Sequence, residues 1–97
     1  MNRYQLVFIF PPKLSEKDWG TQRDEIRNIL KEHNATIFFE EDWGLRPFAF
    51  RLAGHDEGYY GTMCYDVDPE KTPEIQTILR IHPGMLRYRL LRLPDGF

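Results

Sequence analysis

Strand-forming and helix-forming segments follow one another in this sequence in the order β-α-β-β-α-β, and few folds accept that order. Residues 3–10 are rich in strand formers, and Pro11-Pro12 ends the run because proline lacks a backbone donor. Ser15, three residues before an aspartate, is typical of a helix N-cap. The first helix is therefore predicted over residues 16–32, with Asn34 as a left-handed stop.

The stretch Thr36–Leu52 is β-prone, and we expect one long bent strand with a bulge at Gly44. The alternative is a hairpin that turns at Asp42 to Gly44, although no Asn-Gly or Asp-Gly pair supports a turn there. A polar loop over residues 54–58 is predicted to lead into a third strand over residues 59–67.

A second, shorter helix is predicted to begin at Thr72, because Thr72-Pro73-Glu74 combines a capping hydroxyl with a proline in the first turn. Asp68-Pro69 is the other possible start, but a full helix from there would place Pro73 where a backbone donor is needed. The helix should end at His82-Pro83-Gly84, and residues 85–93 are predicted to form the last strand.

This order of elements predicts one α+β domain over residues 1–97, with a ferredoxin-like fold. Its four-stranded antiparallel sheet should have the order 4-1-3-2 and carry both helices on one face. From the helices, the residues predicted to face the core include Trp19, Ile29, Ile75 and Ile78. Periodicity predicts that the core consists of Leu6, Phe8, Phe10, Ile26, Leu30, Ile37, Met63, Tyr65, Val67, Leu79, Tyr88 and Leu90.

Composition and charge argue against several classes of protein. Cys64 is the single cysteine, so we expect no disulfide framework, and a reducing, cytoplasmic compartment fits best. No segment has the roughly 20 apolar residues of a membrane span, and the start lacks the features of a signal peptide. A net charge of −2 argues against a nucleic-acid binder that acts alone. The charge is uneven, however, with four arginines between residues 80 and 92.

The sequence contains no convincing catalytic or metal-binding motif, so we expect neither an enzyme nor a cofactor. An acylphosphatase-like site would need a glycine-rich basic cradle where residues 11–14 read Pro-Pro-Lys-Leu. The acidic residues 40–42 alternate faces along a strand and are expected at a solvated edge. Surface positions without metal-ligand spacing are expected for the three histidines, His33, His55 and His82.

An RNA-recognition motif is one alternative, because it has the same fold and stacks bases on aromatic residues of strands one and three. Gly58-Tyr59-Tyr60-Gly61 is similar to its strand-three signature, and strand one contains Tyr4 and Phe8. However, Tyr60 stands where that signature has a small residue, and no aromatic residue occupies the two positions after Gly61. Packing in half-buried strands is the simpler explanation.

Four short motifs lie in register along the chain: Arg3-Tyr4, Gly44-Leu45-Arg46 before Phe48-Ala49-Phe50-Arg51-Leu52, Gly58-Tyr59, and Leu79-Arg80-Ile81. Together with the element lengths, they make the whole chain similar to the bacterial small-subunit ribosomal protein S-six family. The resemblance implies a non-catalytic protein of the cytoplasmic ribosome. It would pair with ribosomal protein S-eighteen and bind the central domain of small-subunit ribosomal RNA. By match to the family's basic positions, the phosphate contacts would be Arg3, Arg46, Arg80 and Arg87.

The chain departs from the family in its polar positions. After its arginine the central motif normally has a polar or basic residue, leucine, a small residue and tyrosine, whereas this chain has Pro47-Phe48-Ala49-Phe50. Asn2 replaces a basic residue, and Trp19-Gly20 replaces small or aliphatic residues. The spacing of the apolar residues matches the family, whereas many of the family's polar positions are occupied by other residues. A computational redesign on the S-six backbone would show the same pattern of retained apolar and altered polar positions. An engineered scaffold without biological function is therefore the alternative hypothesis.

The sheet face opposite the helices, called the open face below, is predicted to mix apolar residues with arginines, whereas such a face is normally polar. Tyrosine and arginine side chains could cover the aliphatic ones. Alternatively, this face or the edge of strand two binds a partner chain or another copy of itself. The residues predicted on the open face are Gln5, Val7, Ile9, Phe38, Tyr60, Thr62, Cys64, Arg87, Arg89, Leu91 and Leu93.

Overall fold

The computed structural model describes residues 1–94, and its elements follow the predicted order. Two helices, α1 (Glu16–Glu32) and α2 (Thr72–Arg80), accompany four strands. The strands form one antiparallel sheet in the order β2-β3-β1-β4, which confirms the predicted ferredoxin-like arrangement. No helix among residues 1–94 is long and apolar enough to cross a membrane. The strands are β1 (Asn2–Phe10), β2 (Thr36–Leu52), β3 (His55–Val67) and β4 (Arg87–Arg92).

The start of α1 is confirmed, but the predicted cap of α2 is wrong. The Ser15 hydroxyl accepts a hydrogen bond from the backbone N–H of Asp18 at 3.1 Å. At α2, the Asp68 carboxylate instead accepts from the backbone N–H of Glu70 at 3.0 Å, and caps a 3₁₀ turn, Pro69–Lys71, that runs into the helix. Thr72 already lies inside α2, which has no side-chain capping bond. Pro73 is tolerated because it lies in the first turn, where its missing donor is not needed.

The long strand β2 is confirmed, and the alternative hairpin at Asp42 is wrong because pairing with β3 continues past it. The register shifts between Asp42 and Gly44, and Gly44 has φ = 70°, as a bulge at this glycine requires. At the other edge, β4 is shorter than predicted. Its ends still bond to β1, since the backbone N–H of Leu86 donates to the Ile9 carbonyl at 2.8 Å and that of Leu93 to the Arg3 carbonyl at 2.7 Å.

The predicted polar loop over residues 54–58 is wrong, because this segment is the first part of β3. Leu52 pairs with His55, so only Ala53 and Gly54 form the turn. Their φ angles, 50° and 81°, are both positive, as a type I′ hairpin turn requires. Strand β1 meets β3 only from Tyr59 onwards, so residues 46–58 form a two-stranded extension, the β2–β3 arm. In the β3 half of this arm, residues 55–57 are polar or charged and show no apolar alternation, which explains why the sequence did not reveal a strand there.

Replacing Ala53 with glycine is expected to stabilise the protein by up to about 1 kcal/mol, because a side chain at positive φ is strained there. Ala49→Gly is the matched control: Ala49 lies in the extended strand of the same arm, where glycine weakens the structure. Urea unfolding of both variants measures the free energies. Changes of the same sign in the two variants would contradict the assigned turn.

The core lies between the sheet and the two helices, as periodicity predicts. Leu6, Phe8 and Phe10 of β1 are fully buried against Trp19 and residues of both helices. Three predicted core residues, Ile37, Tyr88 and Leu90, are only half-buried and pack on its rim, and the helix residues Ile29 and Ile78 are half-buried as well. Ala35 joins the core without having been predicted. The fully buried remainder of the prediction is Ile26, Leu30, Met63, Tyr65, Val67, Ile75 and Leu79.

Candidate nucleic-acid interface

The pairing register places two exposed arginines of β4 on the open face. Residues directly opposite in neighbouring strands point to the same side of a sheet. Arg87 lies opposite Ile9 and Arg89 opposite Val7, on the side of β1 that faces away from the buried Leu6 and Phe8. Both arginines are exposed. The open face therefore presents their guanidinium groups to solvent.

Arg46 lies on the same face, at the base of the β2–β3 arm. It is opposite Gly58, a position at which a side chain would meet Ile9 and Phe48 of the open face. The Arg46 side chain is exposed, and its Nε donates to the backbone carbonyl of Trp43 at 2.8 Å. Because this contact uses one N–H group, the terminal nitrogens remain able to bind a phosphate.

Arg3, the third predicted arginine on this face, is held by a carboxylate. Its Nε and Nη2 donate to the two oxygens of Asp66 at 2.8 and 3.0 Å, and its guanidinium lies 4.4 Å from the centre of the Phe38 ring. The hydrogen bond from Arg3 lowers the pKa of the Asp66 carboxyl, and the same bond raises the pKa of Arg3. A phosphate would have to compete with Asp66 for this arginine.

Replacing Arg3 with glutamine is expected to raise the pKa of Asp66 towards its ordinary value, measured by NMR titration of the carboxyl carbon. The folded-state pKa is lower than the unfolded one, so the ion pair stabilises the fold fully above the unfolded pKa. That contribution is lost as the pH falls through the folded pKa. The stability difference between the wild type and Arg3→Gln should therefore shrink in acid. Arg89→Gln is the control and should leave Asp66 unchanged; an unchanged Asp66 pKa in Arg3→Gln would contradict the assignment.

Arg80, the fourth predicted contact, is not brought together with the others. It is the exposed last residue of α2, and so belongs to the helix layer on the other side of the sheet. The structure therefore divides the predicted set into three arginines of the open face and one of the helix layer.

The acidic residues of β2 are exposed on an edge strand of the sheet, as expected, and two of them also bind side chains of α1. Glu40 forms an ion pair with Arg27, and Asp42 accepts from the Trp19 Nε1–H at 3.0 Å. Both point to the helix side, whereas Glu41 lies opposite Thr62 on the open face and accepts from the indole N–H of Trp43. Two of these three carboxylates are therefore directed to α1, and Glu41 is the one that lies on the open face.

The structure does not support an arrangement of aromatics like that of an RNA-recognition motif. Phe8 is fully buried, and Tyr4 packs against the core, on the helix side of the sheet. Tyr60 does lie on the open face, opposite Ile9, and two β2 residues join it there. Trp43 stacks on Tyr60 with ring centres 6.3 Å apart, and Phe48 lies 5.8 Å from Tyr60. The sequence did not single out Trp43, because the register shift between Ile37 and Phe39 changes the face on which the following β2 residues lie.

Parts of the predicted open face are covered. Thr62 and Cys64 are buried although they lie on this side, and burial raises the pKa of the Cys64 thiol. The Thr62 hydroxyl donates to the Leu6 carbonyl at 3.0 Å. Phe38, Phe39, Gln5 and Leu93 surround Cys64. Arg87, Arg89 and Trp43 lie in the half of the open face towards the β2–β3 arm, whereas the exposed Phe38 and Phe39 lie in the other half.

Two of the three histidines, His33 and His82, have structural contacts. His33 Nδ1 lies 2.8 Å from the Ile29 carbonyl at the end of α1, and His82 Nε2 lies 3.2 Å from the Glu25 carboxylate. In the described part of the chain, no three histidine, cysteine or acidic side chains come together in a way that could hold a metal ion.

Comparison with known proteins identifies the family. A family model described as "Ribosomal protein S6" matches residues 3–92. The chain belongs to this family. Two curated relatives, both named "Small ribosomal subunit protein bS6", illustrate the S-six family. The protein of Caldanaerobacter subterraneus subsp. tengcongensis is 28% identical over 98% of this chain and its own full length. That of Porphyromonas gingivalis is 30% identical over 95% of this chain and 79% of its own length.

Solved structures agree on the fold of this S-six family member. The crystal structure of 30S ribosomal protein S6 from Thermotoga maritima superposes with a TM-score of 0.90 at 24% identity, over 95% of this chain and 87% of that one. The C-terminal domain of the MgtC protein from Mycobacterium tuberculosis has the same kind of fold, with a TM-score of 0.62 at 18% identity, over 100% of this chain and 93% of that one.

Membership of the S-six family confirms two expectations at the level of the family. The family is structural and non-enzymatic, as the sequence predicts for this chain. It consists of bacterial ribosomal proteins, which confirms the predicted location on the cytoplasmic ribosome. The alternative of a redesigned scaffold gains no support, because natural relatives cover almost the whole chain at about the same identity.

Proposed function

We propose that this chain binds small-subunit ribosomal RNA together with ribosomal protein S-eighteen, as its family resemblance implies, and makes mainly phosphate contacts. The observation that carries the proposal is the separation of charge across the sheet. Arg46, Arg87 and Arg89 lie exposed on the open face, while Glu40 and Asp42 are turned towards α1. A chain with a net charge of −2 can therefore still present a positive surface.

The four predicted arginines would contribute unequally. Arg46 and Arg87 are exposed and available on the open face, whereas Arg3 would have to exchange Asp66 for a phosphate. Arg80 lies in the helix layer and would contact a different RNA segment from the other three. The limited number of available arginines also leads us to expect weak RNA binding without the protein partner.

Charge-removing variants test this proposal. Binding of the chain plus S-eighteen to a central-domain ribosomal RNA fragment is measured as a function of salt concentration. Arg46→Gln and Arg87→Gln should each weaken binding and reduce the slope of log K against log salt by about 1. Lys17→Gln removes the same charge from α1, where no RNA contact is proposed, and serves as the control.

Three results would contradict the proposal. Equal effects of Lys17→Gln and Arg87→Gln would mean that only the total charge matters. An affinity that does not respond to salt would exclude phosphate contacts by these arginines. Tight binding by the isolated chain at physiological salt would contradict the expected need for S-eighteen.

A further inference from the structure

The half of the open face towards the β2–β3 arm contains a groove with one aromatic wall and one arginine wall. Trp43 and Tyr60, from β2 and β3, form the first wall, and Arg87 and Arg89 of β4 form the second. Val7, Ile9 and Gln5 of β1 line the groove between them. The groove has a volume of about 400 Å³, which is within the usual range of small-ligand sites.

The aromatic wall is pre-assembled. The Trp43 and Tyr60 rings are stacked, with an angle of 24° between their planes, and Phe48 extends the row beyond Tyr60 at a tilt of 59°. All three side chains are half-buried, so their packing fixes them while part of each ring remains accessible. Ordered aromatic surfaces of this kind stack on planar groups at a low cost in side-chain entropy.

A second groove of about 300 Å³ continues from the first onto the β2–β3 arm. The two grooves share Ile9, Tyr60 and Arg87, so they form one path across the sheet. Phe48 and Phe50 line the second groove, and Phe50 is 85% exposed although it is a large apolar residue. Together with Phe48 and Leu52 it gives the second groove a contiguous apolar lining, and contiguous exposed apolar surface is typical of interaction sites.

The charge of this path favours an anion. No acidic residue is among the described residues that line either groove. Arg51 of the second groove is paired with Asp56 at 3.3 Å, so Arg87 and Arg89 supply the uncompensated charge. Guanidinium groups bind phosphate oxygens well because their N–H donors form a planar fork.

We propose that these two grooves bind single-stranded RNA, with unpaired bases stacked on Trp43, Tyr60 and Phe48 and phosphates on Arg87 and Arg89. The stacking surface excludes duplex RNA as the preferred ligand, because paired bases already stack on one another and cannot reach the rings. Two arginines without a facing acid favour RNA over a protein segment of mixed charge. This inference rests on the proposed function, because both assign a phosphate contact to Arg87. It adds a site that recognises unpaired bases.

Intrinsic fluorescence can detect this site, because the two tryptophans lie in different environments. Trp19 is 2% exposed and sits in the core, whereas Trp43 lines the groove. Titration of the full chain with a short oligoadenylate or oligouridylate should therefore quench Trp43. The quenching should disappear in Trp43→Phe, which keeps a stacking ring, while binding measured by fluorescence anisotropy of a labelled oligonucleotide persists.

A conservative pair of variants separates stacking from folding. Tyr60→Leu should weaken oligonucleotide binding roughly 5- to 150-fold, the usual effect of removing one stacking ring. Tyr60→Phe keeps the ring and should bind like the wild type. Circular dichroism confirms that both variants are folded. Duplex RNA of the same length and sequence should bind more weakly than the single strand and should not distinguish the two variants.

Three outcomes would overturn the inference. The first is equal binding of single strand and duplex with no effect of Tyr60→Leu, which would leave only phosphate contacts. The second is no quenching of Trp43 at concentrations at which binding is seen by anisotropy. The third is loss of S-eighteen binding in Tyr60→Leu without oligonucleotide binding by the wild type, which would make the groove a protein interface. Failure of the proposed function is distinct, because it would appear as central-domain RNA binding that ignores Arg46 and Arg87.

Discussion

Replacing Phe8 with alanine is expected to lower the free energy of unfolding by about 3–5 kcal/mol. Phe8 is fully buried at the centre of the sheet, and its ring lies 5.8 Å from that of Trp19 and 6.3 Å from that of Phe10. Removing the ring loses its transfer free energy and leaves a cavity that two rigid neighbouring rings cannot fill. Chemical unfolding of the purified variant measures the loss.

Phe50→Ala is the matched control, because the same substitution removes a ring that is 85% exposed. Its effect on stability should stay below about 0.5 kcal/mol, as is usual for surface changes. Leu30→Ala provides an independent test on α1, where a fully buried leucine should cost about 2–5 kcal/mol. A Phe8→Ala loss no larger than that of Phe50→Ala would contradict the assignment of even-numbered β1 residues to the core.

The faces of β1 could be predicted because a strand has a period of two and one face must be buried. A slip of one residue would expose Leu6, Phe8 and Phe10 together, so the apolar alternation fixes the face. The turn and the β3 half of the β2–β3 arm could not be predicted in the same way. Its turn uses Ala53 at positive φ in place of the asparagine that marks such turns, and the charged residues after it have no buried face to reveal a strand.

The residues of the candidate interface could likewise be predicted from the sequence only in part. Arg87 could be placed on the open face, because strand alternation together with the sheet order determines its side. The pairing of Arg3 with Asp66 joins residues 63 positions apart, and local spacing contains no information about it. Trp43 faces the groove because of the register shift between Ile37 and Phe39, which changes the alternation of the following β2 residues by one. Contacts made through long-range pairing and register shifts were therefore the ones that the sequence left open.

Gly61→Ala is expected to destabilise the protein by about 1–3 kcal/mol, the usual cost of inserting a methyl group into a packed core. Gly61 lies opposite Phe8 on β3, under the rings that fill the core. A methyl group there would lie 2.7 Å from two ring carbons of Phe8 and 3.2 Å from the Trp19 ring. Because Phe8 is fully enclosed, relief of this contact must displace Trp19 as well. The emission of Trp19 should therefore change along with the free energy of unfolding.

Gly20→Ala makes the same chemical change with the opposite expected sign. Gly20 lies inside α1, and a methyl group there would meet only the Arg23 guanidinium at an ordinary contact distance of 3.7 Å. Alanine has the higher helix propensity, so this variant should be up to about 1 kcal/mol more stable than the wild type. The sign of each effect is therefore set by the neighbours of the glycine. Destabilisation by Gly20→Ala, or a stable Gly61→Ala with unchanged Trp19 emission, would show that the core is packed differently around Phe8.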